Sequence, residues 1–241
     1  MLEIFICDDD TNITEFLKFF IIRNYGAKYK VVTMNKCQEL IGKIEVHGCV
    51  PDILIMDINL KDGNGIETVK RLQKNHPKLK VIYLTGIINY ATAIFETNPT
   101  YFLVKPINEN ILCFAIDKVA REIERDKADS IIVKNNGVEV VLYRREIMYI
   151  ESHGRKLILY MSDGKINEIY ERIDTIQEQL GRAFVRSHKS FLINMKYITE
   201  RNNKEFYLSN GKVLPISKSS LKECKIKFIE YLGENNEYSF V

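Results

Sequence analysis

The first 125 residues repeat one unit five times: a short apolar run, a turn, and a stretch whose apolar residues recur at helical spacing. The runs are Glu3 to Cys7, Tyr29 to Met34, Asp52 to Asp57, Lys80 to Thr85 and Tyr101 to Val104. The helical stretches between and after them are Asn12 to Tyr25, Lys36 to Glu45, Gly65 to Asn75, Tyr90 to Thr97 and Asn108 to Arg125. Successive parallel strands need a crossover, and a helix is its usual form, so this alternation predicts a parallel sheet covered on both faces. In the first helix Ile13, Phe16, Leu17, Phe20 and Ile21 form the apolar stripe, with Asn12 or Thr11 as the expected cap. In the last, Ile111, Leu112, Ala115, Ile116, Val119 and Ile123 do the same, with Asn108 as the cap.

Polar residues gather at one point of this repeat, the C-terminal end of the strand. Asp8 and Asp9 follow the first run, Asp57 ends the third, Thr85 ends the fourth and Lys105 follows the fifth. In an open α/β sheet that edge is where ligands bind. Three carboxylates brought to it repel one another unless a cation sits among them.

A chain of 241 residues predicts two domains. Apolar residues make up 46% and charged residues 28%, a globular composition that excludes a disordered or fibrous chain. Asp8, Asp9 and Asp10 interrupt the N-terminal apolar run too early for a signal peptide or membrane span, so a cytoplasmic location is expected. Cys7, Cys37, Cys49, Cys113 and Cys224 are odd in number and widely spaced, which argues against a disulfide framework or a zinc site. Charge is uneven: residues 130 to 241 hold 18 Lys and Arg against 14 Asp and Glu, and residues 1 to 129 hold 17 against 18. The basic excess belongs to the second half.

Helical periodicity fades in the charged stretch 126–130, which is taken as a linker between domains at 1–125 and 131–241. Beyond it, brief strand-like runs alternate with turn signals at Asn136-Gly137, Asp163-Gly164 and Asn210-Gly211. Helical spacing returns near Ile173 to Leu180 and Leu221 to Leu232. The second domain is therefore expected to be mostly β with one or two helices. It has no Gly-rich phosphate loop, and no cysteine stands near His153 or His188, so no enzyme site is legible there.

In the first domain the segments Ile6-Cys7-Asp8-Asp9-Asp10, Met56-Asp57-Ile58-Asn59-Leu60-Lys61-Asp62-Gly63-Asn64-Gly65, Leu84-Thr85-Gly86 and Phe102-Leu103-Val104-Lys105-Pro106 occur in order and at matching spacing. Together they resemble the receiver domain of two-component response regulators. The resemblance implies a flavodoxin-like five-stranded (βα)5 fold. It also implies that Asp57 accepts a phosphoryl group from a sensor histidine kinase, with Mg²⁺ held by Asp8, Asp9, Asp57 and the backbone carbonyl of Asn59, Asp8 acting through water. Lys105 and Thr85 would meet the phosphoryl oxygens, Phe102 stands at the switch-aromatic position without the commoner tyrosine hydroxyl, and Lys105-Pro106 is the expected cis peptide. The face containing Tyr90, Tyr101 and Asn108 onward would carry a homodimer on phosphorylation.

In the second domain Ile150-Glu151-Ser152-His153-Gly154-Arg155-Lys156, Phe184-Val185-Arg186-Ser187-His188-Lys189-Ser190-Phe191-Leu192-Ile193-Asn194 and Leu214-Pro215-Ile216-Ser217-Lys218-Ser219-Ser220 also occur in order. They resemble the LytTR DNA-binding domain, over about residues 130 to 232. That family stacks β-strands into an elongated all-β domain and reads promoter DNA from loops. Position by position, the resemblance implies Arg155, Lys189 and Lys218 as DNA contacts, with His153 and Ser219 behind them, and structural duties for His188 and Asn194. Lysine at 189 and 218, where arginine is frequent, shifts these contacts toward phosphate.

The expected function is a phosphorylation-activated transcription regulator, with no enzymatic role beyond its own phosphoryl transfer and dephosphorylation. One rival is a receiver with a protein- or RNA-binding output. Another is a phosphohydrolase of the haloacid dehalogenase type, for which Asp117, Asp126 or Asp129 would have to stand at a strand end rather than in a helix or linker.

Overall fold

The computed structural model describes residues 1–86, 97–135 and 137–235. Contacts divide the chain into two compact units, Met1–Arg125 and Asp126–Val241.

The first unit contains β1 (Leu2–Cys7), α1 (Thr11–Tyr25), β2 (Tyr29–Met34), α2 (Cys37–Ile41), β3 (Ile53–Asp57), the two-residue strands β4 (Asn59–Leu60) and β5 (Gly63–Asn64), α3 (Gly65–Asn75), β6 (Lys80–Thr85), β7 (Tyr101–Val104) and α4 (Glu109–Asp129). Five of these strands pair in parallel in the order β2-β1-β3-β6-β7. The period of two along each strand sends alternate side chains to opposite faces. Ile4, Ile6, Ile53, Ile55, Ile82 and Leu84 pack on Leu17, Phe20 and Ile21 of α1 and on Leu112, Ile116 and Val119 of α4. Phe5, Leu54, Met56, Val81 and Tyr83 face the other way, onto Leu40 of α2 and Ile66, Val69 and Leu72 of α3. Burying a side chain of this size stabilises the fold by about 1.5–3 kcal/mol. The sheet is thereby fixed between two helical layers.

Two local expectations need correction. The cap of α1 is Asp10, whose side chain accepts the N–H of Asn12, because Thr11 and Asn12 are already helical. The segment 126–129 is not an irregular linker, since α4 runs unbroken to Asp129 and β8 begins at Ser130. Its charges have partners that sequence proximity does not reveal: Arg145 pairs with Asp126 at 2.7 Å and Asp129 at 3.3 Å. Asn108 does cap α4, accepting from the N–H groups of Asn110 and Ile111. The stretch Tyr90 to Glu96 lies outside the described residues, and no helix among those described is long and apolar enough to cross a membrane.

The second unit is mostly strands. A hairpin of β8 (Ser130–Asn135) and β9 (Val138–Tyr143) precedes β10 (Ile147–His153), β11 (Lys156–Met161), β12 (Ile166–Ile169), α5 (Ile173–Leu180), β13 (Phe184–His188), β14 (Phe191–Asn194), β15 (Ile198–Arg201), β16 (Glu205–Leu208), β17 (Val213–Pro215) and α6 (Leu221–Asn235). An antiparallel sheet in the order β12-β11-β10-β14-β13 lies between two cores. One face, through Ile147, Ile150, Leu157, Leu159 and Leu192, packs on the β8–β9 hairpin and α5. The other, through Met148, Tyr149, Val185 and Ile193, packs on the β15-β16-β17 sheet and α6. Asp163-Gly164 and Asn210-Gly211 both connect paired strands, with Gly164 and Gly211 at positive φ.

Candidate functional site

Asp57 ends β3, the middle strand of the parallel sheet, so the fold places it at the centre of the ligand edge. Asp8 and Asp9 arrive there from β1, Thr85 from β6 and Lys105 from β7. Carboxylate oxygens of Asp8, Asp9 and Asp57 lie within 4.8 Å of one another. Lys105 Nζ stands 2.7 Å from Asp8 Oδ2 and 3.2 Å from Asp57 Oδ1. Lys61 reaches Asp9 at 3.1 Å but is largely exposed, where an ion pair contributes little.

Burial of these charges sets their titration. Asp8 is fully buried and Asp57 nearly so. Burial, then the adjacent charge of Asp8, pushes the Asp57 carboxyl above the usual range, while Lys105 works in the opposite direction. Burial by itself would lower the Lys105 ammonium, yet its hydrogen bond to Asp8 and the charges of Asp57 and Asp8 prevail and raise it. Three carboxylates against one partly buried ammonium leave an acidic pocket with hard oxygen donors, a donor set that fits Mg²⁺.

The backbone around the pocket is held by contacts the sequence does not announce. Asp10 donates its N–H to Asp8 Oδ1, and Asn35 donates its side-chain amide to the Asp8 carbonyl, both at 3.0 Å. After β3 the chain turns back so tightly that a Cβ on Gly65 would stand 1.9 Å from the Asp57 carbonyl oxygen. Only glycine fits, and its place at the start of α3 after Asn64 was the available sequence signal. Asp62 crosses to α2 and accepts the N–H groups of Cys37 and Gln38 at 3.0 and 3.2 Å. Although burial opposes it, these bonds hold the Asp62 carboxyl below the usual range.

Thr85 is buried, and its carbonyl accepts the Lys105 N–H at 2.8 Å. The Lys105-Pro106 peptide is cis. Phe102 is 49% exposed, so it points out of the core. It borders a recess of about 650 Å³ lined also by Tyr101, Val104, Asn108 and Ile111. Tyr90 lies outside the described residues.

In the second unit three exposed turns carry the remaining candidates. Arg155 follows Gly154 between β10 and β11, Lys189 lies between β13 and β14, and Lys218 and Ser219 lie between β17 and α6. Cross-links bring the turns together: the Ser152 N–H donates to the Ser190 carbonyl at 2.9 Å, and the Ser217 N–H to the Ser187 carbonyl at 2.8 Å. His153 is engaged by Glu151 at 3.1 Å and Ser219 by the Ser217 hydroxyl at 3.1 Å. His188 Nδ1 accepts the Ser190 N–H, and the buried Asn194 amide donates to the carbonyls of Arg144 and Ile147. Both therefore hold the strand framework. Arg186, in the same motif but not singled out from sequence, donates to the carbonyls of His188 at 3.2 Å and Lys189 at 2.8 Å.

Residues 4–117 match the family model described as the response regulator receiver domain, and residues 138–228 match the LytTr DNA-binding domain. The chain is a response regulator of the LytTR family. The transcriptional regulatory protein LytR of Staphylococcus aureus (strain MW2) is 28% identical over 194 residues, 72% of this chain and 78% of that protein. The sensory transduction protein LytT of Bacillus cereus is 25% identical over 244 residues, covering 93% and 98%. As a LytTR response regulator, the protein is a phosphorylation-dependent, DNA-binding regulator of transcription. The acidic residues that a haloacid-dehalogenase reading needs at a strand end, Asp117, Asp126 and Asp129, all lie in α4.

Proposed function

We propose that Asp57 is the phosphoacceptor and that its state governs DNA binding by three turns of the second unit. The observation that carries the reading is the convergence of Asp57, Asp8, Asp9 and Lys105 at one sheet edge. An Asp57 carboxylate oxygen attacks the phosphorus of a sensor kinase's phosphohistidine, and the N–P bond breaks as the O–P bond forms. Lys105, already between Asp8 and Asp57, neutralises a phosphoryl oxygen, and the Thr85 hydroxyl donates to another. Asp8, Asp9, Asp57 and the Asn59 carbonyl would hold Mg²⁺, which supplies further neutralisation of phosphoryl charge.

The half-exposed Phe102 is the group that changes position when Thr85 turns to the phosphoryl group. The recess it borders, with Tyr101 and Asn108 onward, then favours a homodimer. Arg155, Lys189 and Lys218 contact promoter DNA from neighbouring turns, with His153 and Ser219 supporting. Radiolabelled acetyl phosphate with Mg²⁺ tests the acceptor. Wild type should take up label and Asp57→Asn should not; equal labelling refutes the assignment.

A further inference from the structure

Arg186 lies on β13 three residues before Lys189, and most of its side chain is covered. Nε donates to the His188 carbonyl at 3.2 Å and one terminal nitrogen to the Lys189 carbonyl at 2.8 Å. The other terminal nitrogen is held by the Asp174 carboxylate and, at 3.5 Å, by Gln177 Oε1, both on α5. Four of the five guanidinium donors are thus spent on protein acceptors.

The surrounding backbone shows what this accomplishes. The carbonyls of Ser187, His188, Lys189 and Ser190 are all engaged, the outer two by the N–H groups of Ser217 and Ser152 and the inner two by Arg186. The β13–β14 register shifts between Arg186 and His188, and Lys189 lies outside both strands, so the bond from Arg186 to the Lys189 carbonyl holds a part of the turn that the ladder does not reach. A guanidinium fork can bridge two successive carbonyls while a carboxylate holds its far side; an ammonium cannot.

We propose that Arg186 is a positioning residue for DNA recognition: it fixes the turn from which Lys189 reaches the duplex and ties that turn to α5, without touching DNA itself. The proposal rests on the reading of Lys189 as a DNA contact. Fixing the root of a flexible lysine lowers the ordering cost of each contact it makes.

The test uses the full chain and a duplex recovered by in vitro selection on it, with Kd measured across a salt series. Lys189→Ala and Arg186→Ala should each weaken binding roughly ten-fold and lower the log–log salt slope by about one. The double variant should bind no worse than the weaker single, because both changes remove one contact. Losses that multiply, or wild-type binding by Arg186→Ala beside an impaired Lys189→Ala, overturn the positioning role and leave Lys189 standing. Wild-type binding by Lys189→Ala removes both readings. Should circular dichroism show Arg186→Ala unfolded, Arg186→Lys and Asp174→Ala decide. The first keeps the charge without the fork and the second removes the acceptor on the fork's far side; both should weaken binding, and wild-type affinity in both refutes the proposal.

Discussion

Gly65 and Asp57 illustrate how backbone and charge meet at a single residue. The missing Cβ of Gly65 lets α3 start against the Asp57 carbonyl, and the obstructing atom is backbone that cannot swing aside. Gly65→Ala should cost roughly 2–4 kcal/mol in urea unfolding and reduce acetyl-phosphate labelling of Asp57. Asp57 itself is raised by burial and by Asp8, so the folded protein binds its proton more tightly than the unfolded chain does. Its ionised form therefore destabilises the metal-free fold above the raised pKa, and the penalty is relieved as pH falls through it. Asp57→Asn should melt at a higher temperature than wild type at neutral pH in chelator. The gap should close in acid and narrow with Mg²⁺, and scanning calorimetry along both axes checks the sign.

At the scale of elements, the strands and helices follow from periodicity, but their ends are decided by individual side chains. Asp10 accepts the Asn12 N–H and starts α1 one residue before the expected cap. Asp10→Ala should destabilise the protein by ~1 kcal/mol, whereas Asn12→Ala should change it by less than ~0.5 kcal/mol, both read from urea midpoints. The continuation of α4 to Asp129 has a similar cause. A run of charges that looks like a break is stabilised by Arg145, which lies 16 residues beyond Asp129 in sequence and meets both Asp126 and Asp129. In the second unit, the turns that carry Arg155, Lys189 and Lys218 are set beside one another by backbone bonds from Ser152 and Ser217.

In the whole molecule, acceptor and output lie in different units of one chain. Phosphorylation should convert the protein to a dimer by sedimentation, and Lys218→Ala should reduce the salt slope of DNA binding by about one while leaving labelling at Asp57 intact. A chain that stays monomeric in both states contradicts the dimer proposal. The sequence alone determined the two-part architecture, because periods of two and of helical spacing record which face of each element is buried, and burial dominates folding energy. It also placed Asp8, Asp9, Asp57, Thr85 and Lys105 on one edge, since a parallel sheet brings all its C-terminal strand ends together. Only the tertiary structure decided the roles of Gly65, Asp62 and Arg186. Their partners are carbonyls and N–H groups supplied by backbone folding back or by distant segments, and a backbone group has the same identity in every residue, so no sequence pattern marks it as an acceptor or donor in need.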